Sequence, residues 1–74
     1  MPKYLDKYAL KLRKSTTWKC GAVQKAIIER LRRRKKEYFI LLLLELSALY
    51  SRKQIAESVV LLAQRGIIEL VRVL

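Results

Sequence analysis

The chain contains no histidine and a single cysteine, Cys20. An intramolecular disulfide and a zinc site of ordinary ligation are therefore excluded, because both need further cysteine or histidine side chains. Acidic residues are also few, with 6 Asp and Glu against 17 Lys and Arg. A glycine-rich loop and a carboxylate pair with an evident pocket are lacking as well. These absences predict a protein that is not an enzyme and binds neither a cofactor nor a metal.

Long hydrophobic runs are missing too. The longest, Tyr38–Leu44, is followed by Glu45 and is too short to cross a bilayer. The first residues lack the continuous apolar core of a secretory signal. We therefore expect a cytoplasmic protein with no membrane contact and no small-molecule substrate. Seventy-four residues form one domain at most, and so small a core is expected to need stabilisation by a partner.

What the chain does contain is a clear pattern in its last third. Ser51 and Gln54 have the spacing of a capping box, and Gly66 suits the left-handed position that follows a helix. Apolar residues recur between them at helical spacing, at Ile55, Val59 and Leu62. Residues 67–74 then predict a strand. A helix, a glycine and a strand in this order are typical of a winged helix.

The remaining segments complete a fold that we predict to be mainly α with a short C-terminal strand, a truncated winged-helix or helix-turn-helix-like domain. Residues 22–36 form a helix in this prediction, with an apolar stripe at Val23, Ile27 and Leu31. Residues 37–49 form a second, strongly apolar helix. Residues 3–14 are basic, with Tyr4, Tyr8 and Leu12 at helical spacing. We divide the chain into a basic N-terminal extension, 1–17, and a winged-helix-like RNA-binding domain, 18–74.

The formal charge of +11 predicts a polyanionic partner, and nucleic acid is favoured over an anionic membrane surface. Five like charges at 32–36 favour contact with phosphates over a merely solvated run. Exposed aromatic rings could stack on unpaired bases; for Trp18 stacking and ordinary packing remain equally open, whereas for Tyr38 and Phe39 packing is preferred. The predicted RNA-binding residues are Arg13, Lys14, Trp18, Lys19, Lys25, Arg30, Arg32, Arg33, Arg34, Lys35, Lys36, Arg52 and Lys53.

Two segments resemble a known family. Trp18-Lys-Cys-Gly21-Ala-Val23 is similar to the Trp-x-x-Gly-x-Val segment that opens the conserved part of ribosomal protein twenty-five of the eukaryotic small subunit. The tail Ala63-Gln-Arg-Gly66-Ile67-Ile68-Glu-Leu70-Val71 resembles the end of that family's recognition helix and the strand after it. With the helix before the tail, these segments cover roughly half of the chain.

This resemblance implies a structural constituent of the small ribosomal subunit, located in the cytoplasm and active in translation. Ribosomal RNA and neighbouring small-subunit proteins are the implied partners, and we do not expect a homo-oligomer. The region between Tyr38 and the recognition helix is shorter than in the family, and we expect the second wing strand to be missing. Such trimming resembles the reduced ribosomal proteins of microsporidian parasites.

Two other functions remain open. The first is a DNA-binding winged-helix transcriptional regulator, in which Arg52, Lys53 and Glu57 enter the major groove of DNA and a dimer reads paired half-sites. The second is a small adaptor that binds a protein partner through Leu61 and the apolar helix.

Overall fold

A computed structural model describes residues 3–73 of the protein, and the side chains of residues 5–73. Within these residues the fold combines three α-helices with one three-stranded antiparallel sheet, which confirms the winged-helix-like fold class. Along the chain, the elements are a 3-10 helix Lys3–Lys7, β1 Tyr8–Leu12, α1 Ala22–Arg34, β2 Lys36–Tyr38, α2 Phe39–Leu46, α3 Arg52–Gln64 and β3 Ile68–Arg72. Among the described residues, none of these helices has the length and apolar content that a bilayer span requires.

Both ends of α3 follow from local sequence rules. At its start, the hydroxyl of Ser51 accepts the Gln54 N–H at 3.1 Å, and the Gln54 side chain accepts the Ser51 N–H at 2.9 Å. At its end, Gly66 has a φ of 73°, and the Ile67 N–H donates to the Leu62 carbonyl at 3.0 Å. This bond spans the six residues of a Schellman motif. The predicted capping box and left-handed glycine are therefore confirmed.

The predicted boundary between the first two helices was wrong by a few residues on each side. Helix α1 ends at Arg34, because Lys35 has a φ of 63° and turns the chain out of the helix. Lys36–Tyr38 then form β2, and α2 covers only Phe39–Leu46 of the predicted 37–49. Lys36 and Glu37, which favour a helix locally, are thus extended with Tyr38, because the backbone of these residues pairs with another strand.

That other strand is β1, where we predicted a helix-spaced segment, and this prediction was also wrong. Tyr8–Leu12 pairs antiparallel with both β2 and β3. The side chains of Leu5 and Leu10 are fully buried in the same hydrophobic core as α1 and α3. The predicted division at residue 17 therefore falls inside a single core. The side chain of Tyr4, which the helical spacing used, lies outside the described residues, as does Leu74.

The sheet has the strand order β2–β1–β3, so β1 is its central strand. In this order β1 lies antiparallel beside β3, the position expected of the second wing strand. We expected that strand to be missing, but a segment that precedes α1 in the chain fills its place. The two edge strands, β2 and β3, therefore both pair with β1, and β3 is not joined to its neighbour by a hairpin turn.

The two faces of the sheet differ in chemistry, as the alternation of side chains along a strand requires. Leu10 and Ile68 are buried and lie on the face toward the helices. On the opposite face, Lys11 is exposed and lies in register between Lys36 of β2 and Glu69 of β3. The core beneath the sheet is completed by residues of all three helices, chiefly Ile27, Ile28, Leu31, Phe39, Leu42, Ile55, Val59 and Leu62.

Candidate nucleic-acid interface

Two basic segments that are far apart in the sequence lie together at the C-terminal end of α1. The Leu12 N–H donates to the carbonyl of Lys35 at 3.0 Å. The Arg32 guanidinium donates to the hydroxyl of Ser15 at 2.7 Å and contacts its carbonyl at 3.4 Å. The strand register adds a third link, since it sets Lys11 opposite Lys36. Residues 11–15 and 32–36 therefore share one surface.

We call the exposed cations of this surface the basic face. No ion pair joins any of them to a carboxylate of the described residues. Like charges directly across a strand pair repel each other, so the Lys11 and Lys36 ammonium groups would gain from an anion between them. The basic face consists of Lys11, Lys14, Arg33, Lys35 and Lys36.

Other predicted cations border the basic face but are already partly neutralised. Arg13 forms an ion pair with Glu69 at 2.7 Å. Arg32 forms one with Glu29 at 2.6 Å while it holds Ser15. Both side chains remain exposed to more than a third of their area. Surface pairs of this kind are weak, so these arginines can still exchange a carboxylate for a phosphate. Lys25 is exposed nearer the start of α1.

Arg30, which was predicted to bind RNA, is instead engaged by carboxylates within the protein. Its side chain is only 12% exposed, and its Nε and NH2 groups donate to the two carboxylate oxygens of Glu37 at 2.8 and 2.6 Å. The hydrogen bond to Glu37 raises the pKa of Arg30 above its ordinary value. Glu45 lies a further 3.5 Å away, and Glu37 also lies 3.7 Å from Arg34. Arg30 therefore belongs to a buried ion-pair network and not to a binding surface.

The exposed surface of α3 carries almost no free positive charge. Arg52 lies 3.7 Å from Asp6, and Lys53 lies 3.9 Å from Glu57. Leu61, one turn after Glu57, is 46% exposed. A helix that reads base edges presents hydrogen-bonding side chains at such positions. The two cations predicted from this helix are thus exposed but engaged, and they lie on a different element from the basic face.

Trp18 lies in the connection between β1 and α1 and is 68% exposed. It is not a packed core residue, so the stacking interpretation of this ring stays open. Lys19 places its ammonium 4.7 Å from the centre of the ring. Arg65, at the end of α3, donates to the Trp18 carbonyl at 2.6 Å. The backbone of this connection is therefore held to α3.

Sequence reasoning missed two residues of this surface, for different reasons. Lys11 was assigned to a helical segment, although the alternation of Leu10, Lys11 and Leu12 is also the period of a strand. No sequence signal marked Arg65, because its contacts with residues 18–20 span more than 40 positions. For Phe39 and Tyr38, ordinary packing was predicted in preference to base stacking. This is confirmed for Phe39, which is fully buried, but was wrong for Tyr38, which is 53% exposed.

Apolar side chains are exposed on another part of the molecule. Tyr38 of β2 and Ile40, Leu41 and Leu44 of α2 all have more than a third of their area open to solvent. Leu41 lines shallow grooves with Tyr38 on one side and with Leu44 on the other. Exposed apolar side chains that are clustered in this way are a feature of surfaces that contact other proteins.

Comparison of the chain with protein-family models, with curated proteins and with solved structures finds no match in any of the three.

Proposed function

We propose that the protein is a structural constituent of the small ribosomal subunit, and that it binds ribosomal RNA through the basic face. The observation that carries the proposal is the convergence of residues 11–15 and 32–36 on one surface, where the five cations of the basic face form no ion pair with a carboxylate of the described residues. Phosphate groups would relieve the repulsion on this surface and release counterions from the RNA. Affinity without base reading is what a structural RNA-binding protein needs.

The charge distribution favours RNA over a DNA-reading regulator. A regulator of the winged-helix type inserts its recognition helix into the major groove. Here α3 carries only Arg52 and Lys53 as cations, the carboxylate of Glu57 lies 3.9 Å from Lys53, and Leu61 would meet the bases with an apolar side chain. The five cations of the basic face lie on β1, on β2 and at the end of α1 instead, away from α3. This arrangement suits a protein that follows a phosphate backbone.

The resemblance of the Trp18 and Gly66 segments supports the ribosomal assignment and a cytoplasmic location. The exposed apolar side chains of β2 and α2 support a second contact, with a neighbouring protein of the subunit. A ribosomal protein surrounded by RNA and protein is stabilised by both, which offsets the small size of its own core.

A pair of matched variants tests the proposal. Arg33→Ala with Lys36→Ala removes one Arg and one Lys from the basic face, and Arg52→Ala with Lys53→Ala removes the same from α3; each lowers the formal charge from +11 to +9. We expect the first variant to bind ribosomal RNA more weakly, with the slope of log affinity against log salt reduced by about 1 for each lost phosphate contact. The second variant should bind as the wild type does.

The cellular part of the test is fractionation. The wild-type protein should co-sediment with small-subunit particles and leave them only at high salt, and the basic-face variant should leave at lower salt. Sedimentation away from ribosomal particles, together with loss of duplex DNA binding only in the Arg52/Lys53 variant, would refute the proposal in favour of a DNA regulator.

A further inference from the structure

The connection that carries Trp18 is ordered by hydrogen bonds of its own. The Trp18 N–H donates to the hydroxyl of Thr16 at 3.2 Å, and the Cys20 N–H donates to the carbonyl of Thr17 at 3.1 Å. Lys19 adopts a φ of 57°, in the left-handed region that is unfavourable for a residue with a side chain. Such a conformation persists only where the surrounding structure determines it.

Arg65 is the residue that determines it from outside the connection. Besides the 2.6 Å bond to the Trp18 carbonyl, its guanidinium contacts the Lys19 carbonyl at 3.4 Å and the Cys20 sulfur at 3.3 Å. Arg65 is itself held at the end of α3, next to the Gly66 turn. Three contacts from one rigid helix end thus hold the backbone that presents an exposed indole ring.

The surroundings of the Trp18 ring suit an aromatic, negatively charged ligand. The ammonium of Lys19 lies over the exposed Trp18 ring, 4.7 Å from the ring centre. Stacking of an aromatic group on the ring would place that ligand beside an exposed cation. A nucleotide combines the two features, with a base for the ring and a phosphate for the lysine.

We propose that Trp18 and Lys19 form a stacking site for one unpaired base of RNA, with Arg65 as the positioning residue that holds their backbone. The inference rests on the proposed RNA binding. It adds that the RNA contains a single-stranded nucleotide, which the protein contacts in addition to a phosphate backbone. The basic face supplies most of the affinity, and the Trp18 site selects strands whose bases are free.

Trp18 is the only tryptophan of the chain, so the intrinsic fluorescence of tryptophan reports on this site directly. Trp18 fluorescence and affinity are measured with three polyanions: an oligoadenylate, an RNA duplex of equal length, and dextran sulfate, which has no bases. We expect the oligoadenylate to quench Trp18 fluorescence strongly, and the duplex and dextran sulfate to bind with little quenching. Trp18→Ala should lose about 5-fold to 100-fold in affinity for the oligoadenylate only, the range for removal of one stacked aromatic residue.

Four further variants separate stacking from fold. Trp18→Phe should restore most of the oligoadenylate affinity, because phenylalanine also stacks. Arg65→Ala should keep the helix content but lower the fluorescence anisotropy of Trp18 and its quenching, and Arg65→Lys should restore part of both. Leu49→Ala, which removes a 75% exposed apolar side chain from the turn after α2, should change nothing.

The outcomes distinguish the two proposals. If Trp18→Ala binds oligoadenylate as the wild type does, and quenching is equal for all three polyanions, the stacking site is refuted while the basic face stands. If no RNA binds at low salt, the proposed function itself fails. If Trp18→Ala instead loses affinity for small-subunit proteins alone, the ring is a protein contact and the inference is wrong.

Discussion

Replacing Glu37 by Ala should destabilise the protein more than the removal of any exposed charge. Glu37 is 2% exposed, and its two carboxylate oxygens accept both donors of Arg30, which is 12% exposed. The substitution leaves the guanidinium buried without its main partner. Breaking a buried pair from one side typically costs about 3–5 kcal/mol, since the remaining charge keeps its desolvation penalty.

The surroundings of Arg30 place the expected value near the lower end of that range. Glu45 lies 3.5 Å from Arg30 and is 58% exposed, so it can turn toward the guanidinium and compensate in part. We therefore expect a loss of about 3 kcal/mol. A domain of 74 residues has a total stability of about 4–11 kcal/mol, so this loss is a large share of the whole.

The measurement is urea unfolding followed by circular dichroism, for three variants. Glu37→Gln keeps the shape and one acceptor and should fall between wild type and Glu37→Ala. Arg30→Met with Glu37→Leu removes both charges and should lie close to the wild type or above it, because neither desolvation penalty remains. Because the hydrogen bond to Glu37 raises the pKa of Arg30 in the folded protein, its contribution to stability is fully present below the ordinary pKa of arginine and is lost only as the pH rises through the raised pKa. A Glu37→Ala loss below 1 kcal/mol would refute the reasoning.

Other substitutions test the core, the turn at Lys35 and the electrostatics. Leu10→Ala in β1 and Leu62→Ala in α3 should each cost about 2–5 kcal/mol in urea unfolding, since both side chains are fully buried; an unchanged Leu10→Ala would contradict the central position of β1. Lys35→Gly should raise the free energy of unfolding by about 0.5–1 kcal/mol, because the relief of left-handed strain exceeds the entropy cost of glycine. The same variant should bind RNA more weakly, because it lacks one positive charge. Affinity of the wild type for RNA should fall steeply between low and moderate salt, and a flat titration would rule out an electrostatic mechanism.

Some of the surface could be predicted because it depends on composition and local order alone. The excess of Lys and Arg, and the exposure of residues 32–36, follow from a charge run that no core could accept. The same reasoning also predicted Arg30 to be an exposed cation, and there it failed. The Arg30 side chain is only 12% exposed and donates two hydrogen bonds to Glu37 of β2, and that contact depends on how α1 and the sheet pack.

The sequence by itself determined the features whose causes lie within a few residues. The capping box at Ser51, the apolar face of α3 and the turn at Gly66 each involve groups no more than one or two helical turns apart. Helix signals of this kind act before the chain has folded, so they can be read directly from the order of residues.

Only the tertiary structure decided which strand completes the sheet and which cations remain free. β1 pairs with a strand some 60 positions away, as the register of Leu10 with Leu70 shows, and this pairing converts an apparent helix into the central strand. The pairing of β1 with β2 sets Lys11 opposite Lys36, and its pairing with β3 sets Lys11 opposite Glu69. The physical reason is that strand pairing, ion pairing and burial are non-local: their partners are chosen when the core closes, and a basic residue becomes free, paired or buried according to what then faces it.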